Sequence, residues 1–148
     1  MLSRVFEAPG ELVFEMYSKC EHIMHWWGPG DWPVTYCKMD FRVNGNWHYC
    51  MSGPDGRESW GKGIYQEIVR PEKIAWQDYF SDKYGVVNEK MPGMLNIVKL
   101  ADENGKTRMT SHTHFSNPEQ MKQIIDMGAI EGITIALDQL EAYLAEVA

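Results

Sequence analysis

Three carboxylates on strand-like segments are the residues of this 148-residue chain with the clearest catalytic chemistry. Asp40, Glu67 and Asp78 each fall in a stretch whose alternating pattern predicts a β-strand, and an inward carboxylate can act as a general base. An outward carboxylate is instead solvated or paired with a base, and the pattern leaves both readings open. The sequence has no G-x-S-x-G motif, Cys/His pair or phosphate-binding loop. We therefore expect a binding protein rather than an enzyme, and no cofactor.

The histidines offer two spacings that could bind a metal. His112 and His114 are two residues apart on a predicted strand, and His22 and His25 are three apart on a predicted helix, just after Cys20. His112 and His114 have no Cys or carboxylate motif nearby, and two ligands alone are weak evidence for a metal site. We interpret all four as surface residues and expect no metal site.

Cysteine count and charge narrow the class of protein. Cys20, Cys37 and Cys50 are odd in number and have no C-x-x-C spacing, so we expect neither a disulfide framework nor a zinc ribbon. The chain shows no signal-peptide pattern and no apolar run long enough to span a membrane, so we expect a cytoplasmic protein. A net charge of −7 argues against nucleic acid and anionic membranes as partners.

Alternation along the strands defines a candidate ligand cavity. Aromatic and sulfur-containing side chains share one face of two neighbouring segments, and Ser111 and Thr113 share a face with Met109. On the neighbouring predicted strand, Asn96 shares a face with the apolar residues Met94, Val98 and Leu100. Amide and hydroxyl groups among apolar side chains need partners, which is typical of a ligand pocket. Ordinary core packing is the alternative for most of these positions.

Tryptophans at segment ends are candidates for the entrance of that cavity. Trp26 and Trp27 end a short predicted helix, so we expect one in the core and the other at the entrance. Trp32 and Trp60 fall at loop or strand ends and are similar candidates.

Two glycines complete the predicted cavity. Gly128 and Gly132 are four residues apart in the predicted C-terminal helix, where they either allow close packing or leave space for a ligand. The predicted ligand-cavity set is Trp26, Trp27, Met39, Phe41, Trp47, Tyr49, Met51, Tyr65, Trp76, Asn96, Met109, Ser111, Gly128 and Gly132.

The elements that must position these residues follow from periodicity and turn signals. A strand at 2–6, two short helices ending at Trp26, about six strands between 34 and 115, and one long helix from Asn117 to Val147 are predicted. The helix periodicity includes Met121 and Ile125 on one apolar face. One face of an antiparallel sheet must be covered by other elements, and only the last predicted helix is long enough to lie across it. We predict one α+β domain over 1–148: a curved antiparallel sheet of six or seven strands crossed by that helix.

Six motifs in order resemble one family. They are RVFEAP at 4–9, HWWGP at 25–29, GNW at 45–47 with GPDG at 53–56, GIYQEI at 63–68 with PEKI at 71–74, GKTRMT at 105–110, and MGA at 127–129 with EG at 131–132. Together they resemble the group named after the C-terminal domain of the activator of the heat-shock protein 90 ATPase. That group lies within the START and pollen-allergen-like helix-grip superfamily.

The resemblance implies a fold and several functions. It implies a cavity between sheet and C-terminal helix that holds a hydrophobic or amphipathic small molecule. It also implies two alternatives: a chaperone-associated interaction protein, and a polyketide-cyclase-like or hydrolase-like enzyme. A homodimer through an exposed aromatic edge is a further expectation about partners.

Overall fold

Seven antiparallel strands in one curved sheet, covered by helices, are the frame of the molecule. The computed structural model describes residues 2–90 and 93–147. In chain order the elements are β1 (Leu2–Phe6), α1 (Gly10–Ser18), α2 (Cys20–Trp26), β2 (Val34–Met39), β3 (Asn46–Ser52), β4 (Glu58–Val69), β5 (Lys73–Phe80), β6 (Met94–Glu103), β7 (Lys106–Phe115), α3 (Pro118–Asp126) and α4 (Ala129–Val147). The strand order is β1-β7-β6-β5-β4-β3-β2. The predicted helix-grip fold is confirmed.

Turn chemistry sets the register of the sheet. Asn104 and Gly105 both have positive φ, at 56° and 85°, which is the backbone that a tight two-residue hairpin requires. That turn pairs Glu103 with Lys106 and keeps β6 and β7 in regular register up to Met94 and Phe115. Regular pairing means that alternate side chains of both strands share one face.

The predicted single C-terminal helix is two helices. Asn117 caps α3 by accepting a hydrogen bond from the Gln120 N–H, as its sequence predicts. Gly128, at φ +87°, then ends the segment, because this left-handed backbone suits glycine. The expectation that Gly128 lies inside a helix is therefore wrong. Met121 and Ile125 of α3 are 44% and 38% exposed, so the predicted apolar face does not continue through α3.

The helices bury their apolar sides against one face of the sheet, here called the inner face. Phe14 and Met16 of α1 and Leu137, Leu140 and Leu144 of α4 are buried in the same core as the inner-face residues of β3 to β7. Two charged contacts tie α4 to the edge strand β1: Arg4 lies 2.8 Å from a carboxylate oxygen of Asp138 and 2.8 Å from one of Glu141.

A disulfide corrects one expectation from the sequence. Cys20, the first residue of α2, is bonded to Cys37 of β2, with 5.7 Å between their Cα atoms. The two residues are 17 apart in sequence and meet only because α2 packs beside the edge strand, which a spacing motif does not reveal. Cys50 is free and buried.

In the described parts of the chain, no helix combines the length and the apolar character needed to cross a membrane.

Candidate functional site

Five side chains with polar atoms meet inside an aromatic cluster on the inner face. They are Trp47 and Tyr49 of β3, Tyr65 of β4, and Trp76 and Asp78 of β5, all at most 7% exposed. The rings of Trp47 and Tyr49 are 4.6 Å apart, and those of Trp47 and Trp76 are 6.0 Å apart. Burying this many polar atoms requires hydrogen-bond partners, so each atom must be accounted for.

Two glycines of β4 make the cluster geometrically feasible. Gly61 pairs with Tyr49, and a Cβ atom at Gly61 would overlap the Tyr49 ring. Gly63 lies between Trp47 and Trp76, where an added Cβ would approach Trp76 Cδ1 to 3.1 Å. The bare backbone of β4 therefore lets rings from β3 lie across it towards β5.

Asp78 is the buried acid of this cluster. The Tyr49 hydroxyl crosses β4 and donates to the carboxylate, at 3.2 Å from both oxygens. Burial raises the pKa of Asp78 to about 7, against the opposing effects of the Tyr49 hydroxyl, the Tyr79 N–H and the Trp76 indole. Burial, and then the charge of Asp78, raise the pKa of Tyr49 well above its ordinary value. The site therefore holds a carboxyl group that changes protonation near neutral pH.

Three buried polar atoms of the cluster have no hydrogen-bond partner. They are the indole nitrogens of Trp47 and Trp76 and the hydroxyl oxygen of Tyr65. The Trp76 indole lies near enough to Asp78 to lower its pKa, but not in hydrogen-bonding geometry. A buried donor left without an acceptor costs about 1–3 kcal/mol. All three atoms belong to side chains of the aromatic cluster.

Trp27 covers the cluster, and Trp26 anchors the segment that carries it. Trp27 is half-buried, with its ring 4.8 Å from Trp47 and 6.1 Å from both Tyr49 and Trp76. Trp26 is 1% exposed and donates from its indole N–H to the Met16 carbonyl. Of the two tryptophans, Trp27 therefore lies between the cluster and solvent.

A glutamine of α4 holds residues 26–30, here called the tryptophan segment, in place. The Gln139 amide nitrogen donates to the carbonyls of Trp26 and Gly28, at 3.0 and 2.9 Å, and its oxygen accepts from the Gly30 N–H. Gly28 itself has no room for a side chain, because a Cβ would overlap the Trp32 carbonyl. Sequence reasoning missed Gln139, since a single glutamine on a helix carries no pattern.

The polar residues of β6 and β7 line the inner face beyond the aromatic cluster. Asn96 pairs with Thr113, and the Thr113 hydroxyl donates to the Asn96 side-chain oxygen at 2.9 Å. Both share a face with Val98 and Met109, which are core residues, as does Ser111. Asn96, Ser111 and Thr113 are only half-buried, so this part of the inner face is open to solvent.

A surface groove of about 490 Å³ lies where the tryptophan segment meets α4. Its lining includes Trp32, Arg57, Gly128 and Gly132, and the Arg57 guanidinium lies 5.5 Å from the Trp32 ring centroid. The structure thus separates the predicted cavity set: Gly128 and Gly132 line this groove and not the aromatic cluster.

The other predicted cavity residues pack at the margin of the cluster. Met39, Phe41 and Met51 are partly buried against the core. Phe41 lies beyond the end of β2, with its ring 5.0 Å from that of Tyr65. Met109 is fully buried, and its sulfur accepts a hydrogen bond from the Tyr17 hydroxyl. Trp60 is on the opposite face of the sheet, 5.0 Å from His48, away from any inner-face entrance.

Of the three candidate carboxylates, only Asp78 faces the cluster. A bulge between Tyr65 and Glu67 shifts the register of β4, so Glu67 pairs with Ala75 and turns outward, 2.7 Å from Lys73. Asp40 is exposed, with Arg42 2.7 Å away. Both have the solvated, paired arrangement of structural carboxylates.

The histidine pairs have other contacts. The His22 ring bonds to the Tyr143 hydroxyl at 2.8 Å, and His25 stacks on the same ring at 4.5 Å. His112 and His114 are stacked on the outer side of β7. Within residues 2–90 and 93–147, no group of three His, Cys, Asp or Glu side chains has the arrangement of a metal site.

Comparisons with known proteins add a family and several solved structures. Residues 7–145 match the family described as "Activator of Hsp90 ATPase homolog 1-like protein". No curated protein matches the chain.

Similar solved structures come from several bacteria. A protein from Arthrobacter aurescens is 32% identical, with 97% of this chain and 84% of that chain covered and a TM-score of 0.91. Protein Ms6760 from Mycobacterium smegmatis is 30% identical, with 96% and 87% covered and a TM-score of 0.88. A Staphylococcus epidermidis protein is 31% identical, with 99% and 89% covered and a TM-score of 0.87.

Proposed function

Since this chain belongs to the family of Activator of Hsp90 ATPase homolog 1-like proteins, a START-like fold, we propose that it binds a small amphipathic molecule at the inner face of its sheet. The observation that carries the proposal is the group of three buried, unpartnered polar atoms of Trp47, Tyr65 and Trp76 beside Asp78. Two of the three are indole N–H groups, which only donate. The polar end of the ligand is therefore a hydrogen-bond acceptor, such as a carbonyl oxygen.

The apolar part of the ligand is set by the walls of the site. The rings of Trp27, Trp47 and Trp76 pack against one another, with their centroids 4.8 to 6.1 Å apart. Such walls favour a flat, apolar body, since aromatic faces and edges stack well on another ring. Trp27 is the half-buried member, so rotation of its side chain, which also contacts the buried Trp26 ring at 5.5 Å, would open the cluster to solvent.

The polar stretch of β6 and β7 extends the site. Asn96, Ser111 and Thr113 are half-exposed on the same inner face, and Asn96 pairs directly with Trp76 across the strands. A longer ligand would run from the aromatic cluster over these side chains, which offer both donors and acceptors. A few placed polar groups within an apolar wall are the usual composition of a small-molecule site.

Two probes that differ only in an acceptor atom test the proposal. Acetylnaphthalene carries a ketone oxygen, and ethylnaphthalene has nearly the same shape without it. We expect the ketone to bind about fivefold tighter, the equivalent of one net hydrogen bond of about 1 kcal/mol. Titration followed by isothermal calorimetry or by methyl NMR shifts gives both affinities.

Tyr65→Phe is the matched variant, because it removes only the unpartnered hydroxyl. It should reduce the preference for the ketone, while Tyr36→Phe, which changes a 40% exposed tyrosine of the outer face, should leave it unchanged. Equal affinity for the two probes in the unaltered protein, or equal loss in both variants, would contradict the proposed site. Native mass spectrometry of the purified protein adds an independent readout of any molecule retained from the host.

Proton transfer is the second candidate function, favoured by the position of Asp78 inside the cluster. With a pKa of about 7, this carboxyl is about half ionised at neutral pH and can both accept and return a proton. A bound ketone would lose an α-proton to the Asp78 carboxylate and regain one from it. Deuterium exchange into the methyl group of acetylnaphthalene in D₂O measures this step. Exchange that persists unchanged in Asp78→Asn would exclude the carboxylate as the base.

A further inference from the structure

The face of the sheet opposite the helices, the outer face, carries three basic side chains in one cross-strand row. Lys38 of β2 pairs with His48 of β3, and His48 pairs with Lys62 of β4. Directly opposite side chains on adjacent strands have Cβ atoms about 5 Å apart, so both lysines lie beside the His48 side chain. A row of this kind in a protein of net charge −7 is a local reversal of the overall charge.

An ordered loop turns this row into a groove. Asp82 fixes the loop by accepting from the N–H groups of Tyr84 and Val86, at 2.8 and 3.0 Å. The loop lies against the row, because Lys62 Nζ donates to the Gly85 carbonyl at 3.1 Å and His48 Nε2 donates to the Asp82 carbonyl at 3.0 Å. The resulting groove of about 280 Å³ is lined by Lys38, Met39, Asp40, Asn46, His48, Lys62, Tyr84 and Gly85.

The carboxylates around the groove have partners other than the two lysines. Asp40 is the carboxylate in the lining, and it is paired with Arg42 at 2.7 Å. The Asp82 carboxylate accepts from backbone N–H groups of its own loop. Lys83 adds a further cation, with its Nζ 5.2 Å from the centroid of the Tyr84 ring.

One exposed ring lines the groove, and two further rings lie beside its histidine. Tyr84 is 79% exposed, an unusual exposure for an aromatic side chain on an ordered loop. Beside the row, the Tyr36 and Trp60 rings lie 5.4 and 5.0 Å from the His48 ring. Cations and aromatic surfaces together match a ligand that has an anionic group attached to a flat ring.

We propose that this outer-face groove binds an organic anion in which a doubly charged group, such as a phosphate, is joined to a planar ring. Lys38 and Lys62 hold the charged group, and Tyr84 contacts the ring. The groove lies on the opposite side of the sheet from the aromatic cluster, so the proposal does not rest on the ligand proposed there.

The probes are adenosine monophosphate, inorganic phosphate and adenosine. The first carries both the charge and the ring, the second carries the charge alone, and the third carries the ring alone. Changes in the amide NMR shifts of residues 38, 48, 62 and 84 report binding to the full-length chain at low salt. We expect the monophosphate to bind tightest, phosphate more weakly, and adenosine weakest. Added salt should weaken the two anions and leave adenosine unaffected.

Lys38→Met and Lys62→Met should each weaken the monophosphate about tenfold, since a charge-assisted hydrogen bond is worth about 1.5 kcal/mol or more. Tyr84→Ala should reduce its affinity to that of phosphate. Lys122→Met, on α3, removes the same charge elsewhere and should change nothing. Unfolding curves of each variant verify the fold. The proposal is overturned if none of the probes shifts these amides at millimolar concentration, or if Lys122→Met weakens binding as much as the groove variants.

Discussion

Replacing Asp78 with asparagine should change how the stability of the protein depends on pH. Asp78 is 7% exposed, and its burial favours the neutral form more strongly than the hydrogen bond from the Tyr49 hydroxyl favours the charged form. Asparagine has the same shape as the neutral acid and cannot ionise. The substitution therefore fixes the site in the state that burial favours.

The expected size follows from the pKa shift. Burial raises the pKa of Asp78 from 3.8 to about 7, so the folded protein holds this proton more tightly than the unfolded chain. The stabilisation by the neutral acid is complete below about pH 4 and is lost as pH rises through about 7. About three pKa units at about 1.4 kcal/mol each give an upper limit of about 4 kcal/mol. That is a large part of the 5–15 kcal/mol that usually separates folded from unfolded domains.

Urea unfolding of both proteins between pH 4 and pH 8 measures the effect. The free energy of unfolding of the unaltered protein should fall across this range relative to that of Asp78→Asn. Carboxylates whose pKa is lowered, such as Asp55 with Arg57 and Glu103 with Arg108, contribute in the opposite direction and only near or below pH 4. The difference between the two proteins therefore isolates Asp78.

Parallel stability curves for the two proteins over this range would refute the reasoning. Such a result would mean that Asp78 is hydrated in solution, with an ordinary pKa. It would also remove the basis for proton transfer in the site. Tyr36→Phe, on the outer face, serves as the control and should keep the pH dependence of the unaltered protein.

Four further substitutions test the packing, the disulfide and the ion pairs described above by urea unfolding. Gly61→Ala should destabilise the fold by about 1–3 kcal/mol, because its methyl group overlaps the tyrosine ring opposite, and a neutral result would show that this ring moves freely. Gly132→Ala should stabilise the fold by up to about 1 kcal/mol, because alanine favours a helix and the added Cβ would lie 3.6 Å from its nearest neighbour. A loss of stability would indicate tighter packing around this position. Cys20→Ser should cost about 3 kcal/mol through loss of its bond to Cys37, but only without reductant, and an equal cost in dithiothreitol would contradict the bond. Arg4→Met should cost about 1 kcal/mol at low salt and less at high salt; an effect that salt does not change would refute its electrostatic origin.

Strand positions could be predicted from sequence because two signals coincide there. The turn signal at residues 70–72 and the alternation of Ile74 and Trp76 predict a strand from Lys73 to Phe80, and β5 has these bounds. The helix break at Gly128 was missed because glycine is tolerated inside a helix and also ends one, and apolar spacing continues on both sides. Only the positive φ of Gly128 distinguishes the two cases.

The candidate site was predictable in composition but not in register. Sequence alternation placed Trp47 and Tyr49 on one face, and the structure buries both in the core. It could not distinguish Glu67 from Asp78, because a one-residue bulge reverses which side chains face inward. The disulfide depends on α2 packing beside the edge strand β2. The Gln139 contacts depend on α4 packing beside residues 26–30. Local sequence patterns encode neither arrangement.

The close contact of three indoles has an optical consequence. Trp27, Trp47 and Trp76 lie with centroids 4.8 to 6.1 Å apart and ring planes inclined by 62° to 68°. Chromophores this close and this inclined share their excited states, so their circular dichroism bands split into a pair of opposite sign. The splitting depends on the angle between the rings, and Trp27 is the ring nearest solvent. Any movement of Trp27 would thus be recorded in the ultraviolet spectrum of the unlabelled protein.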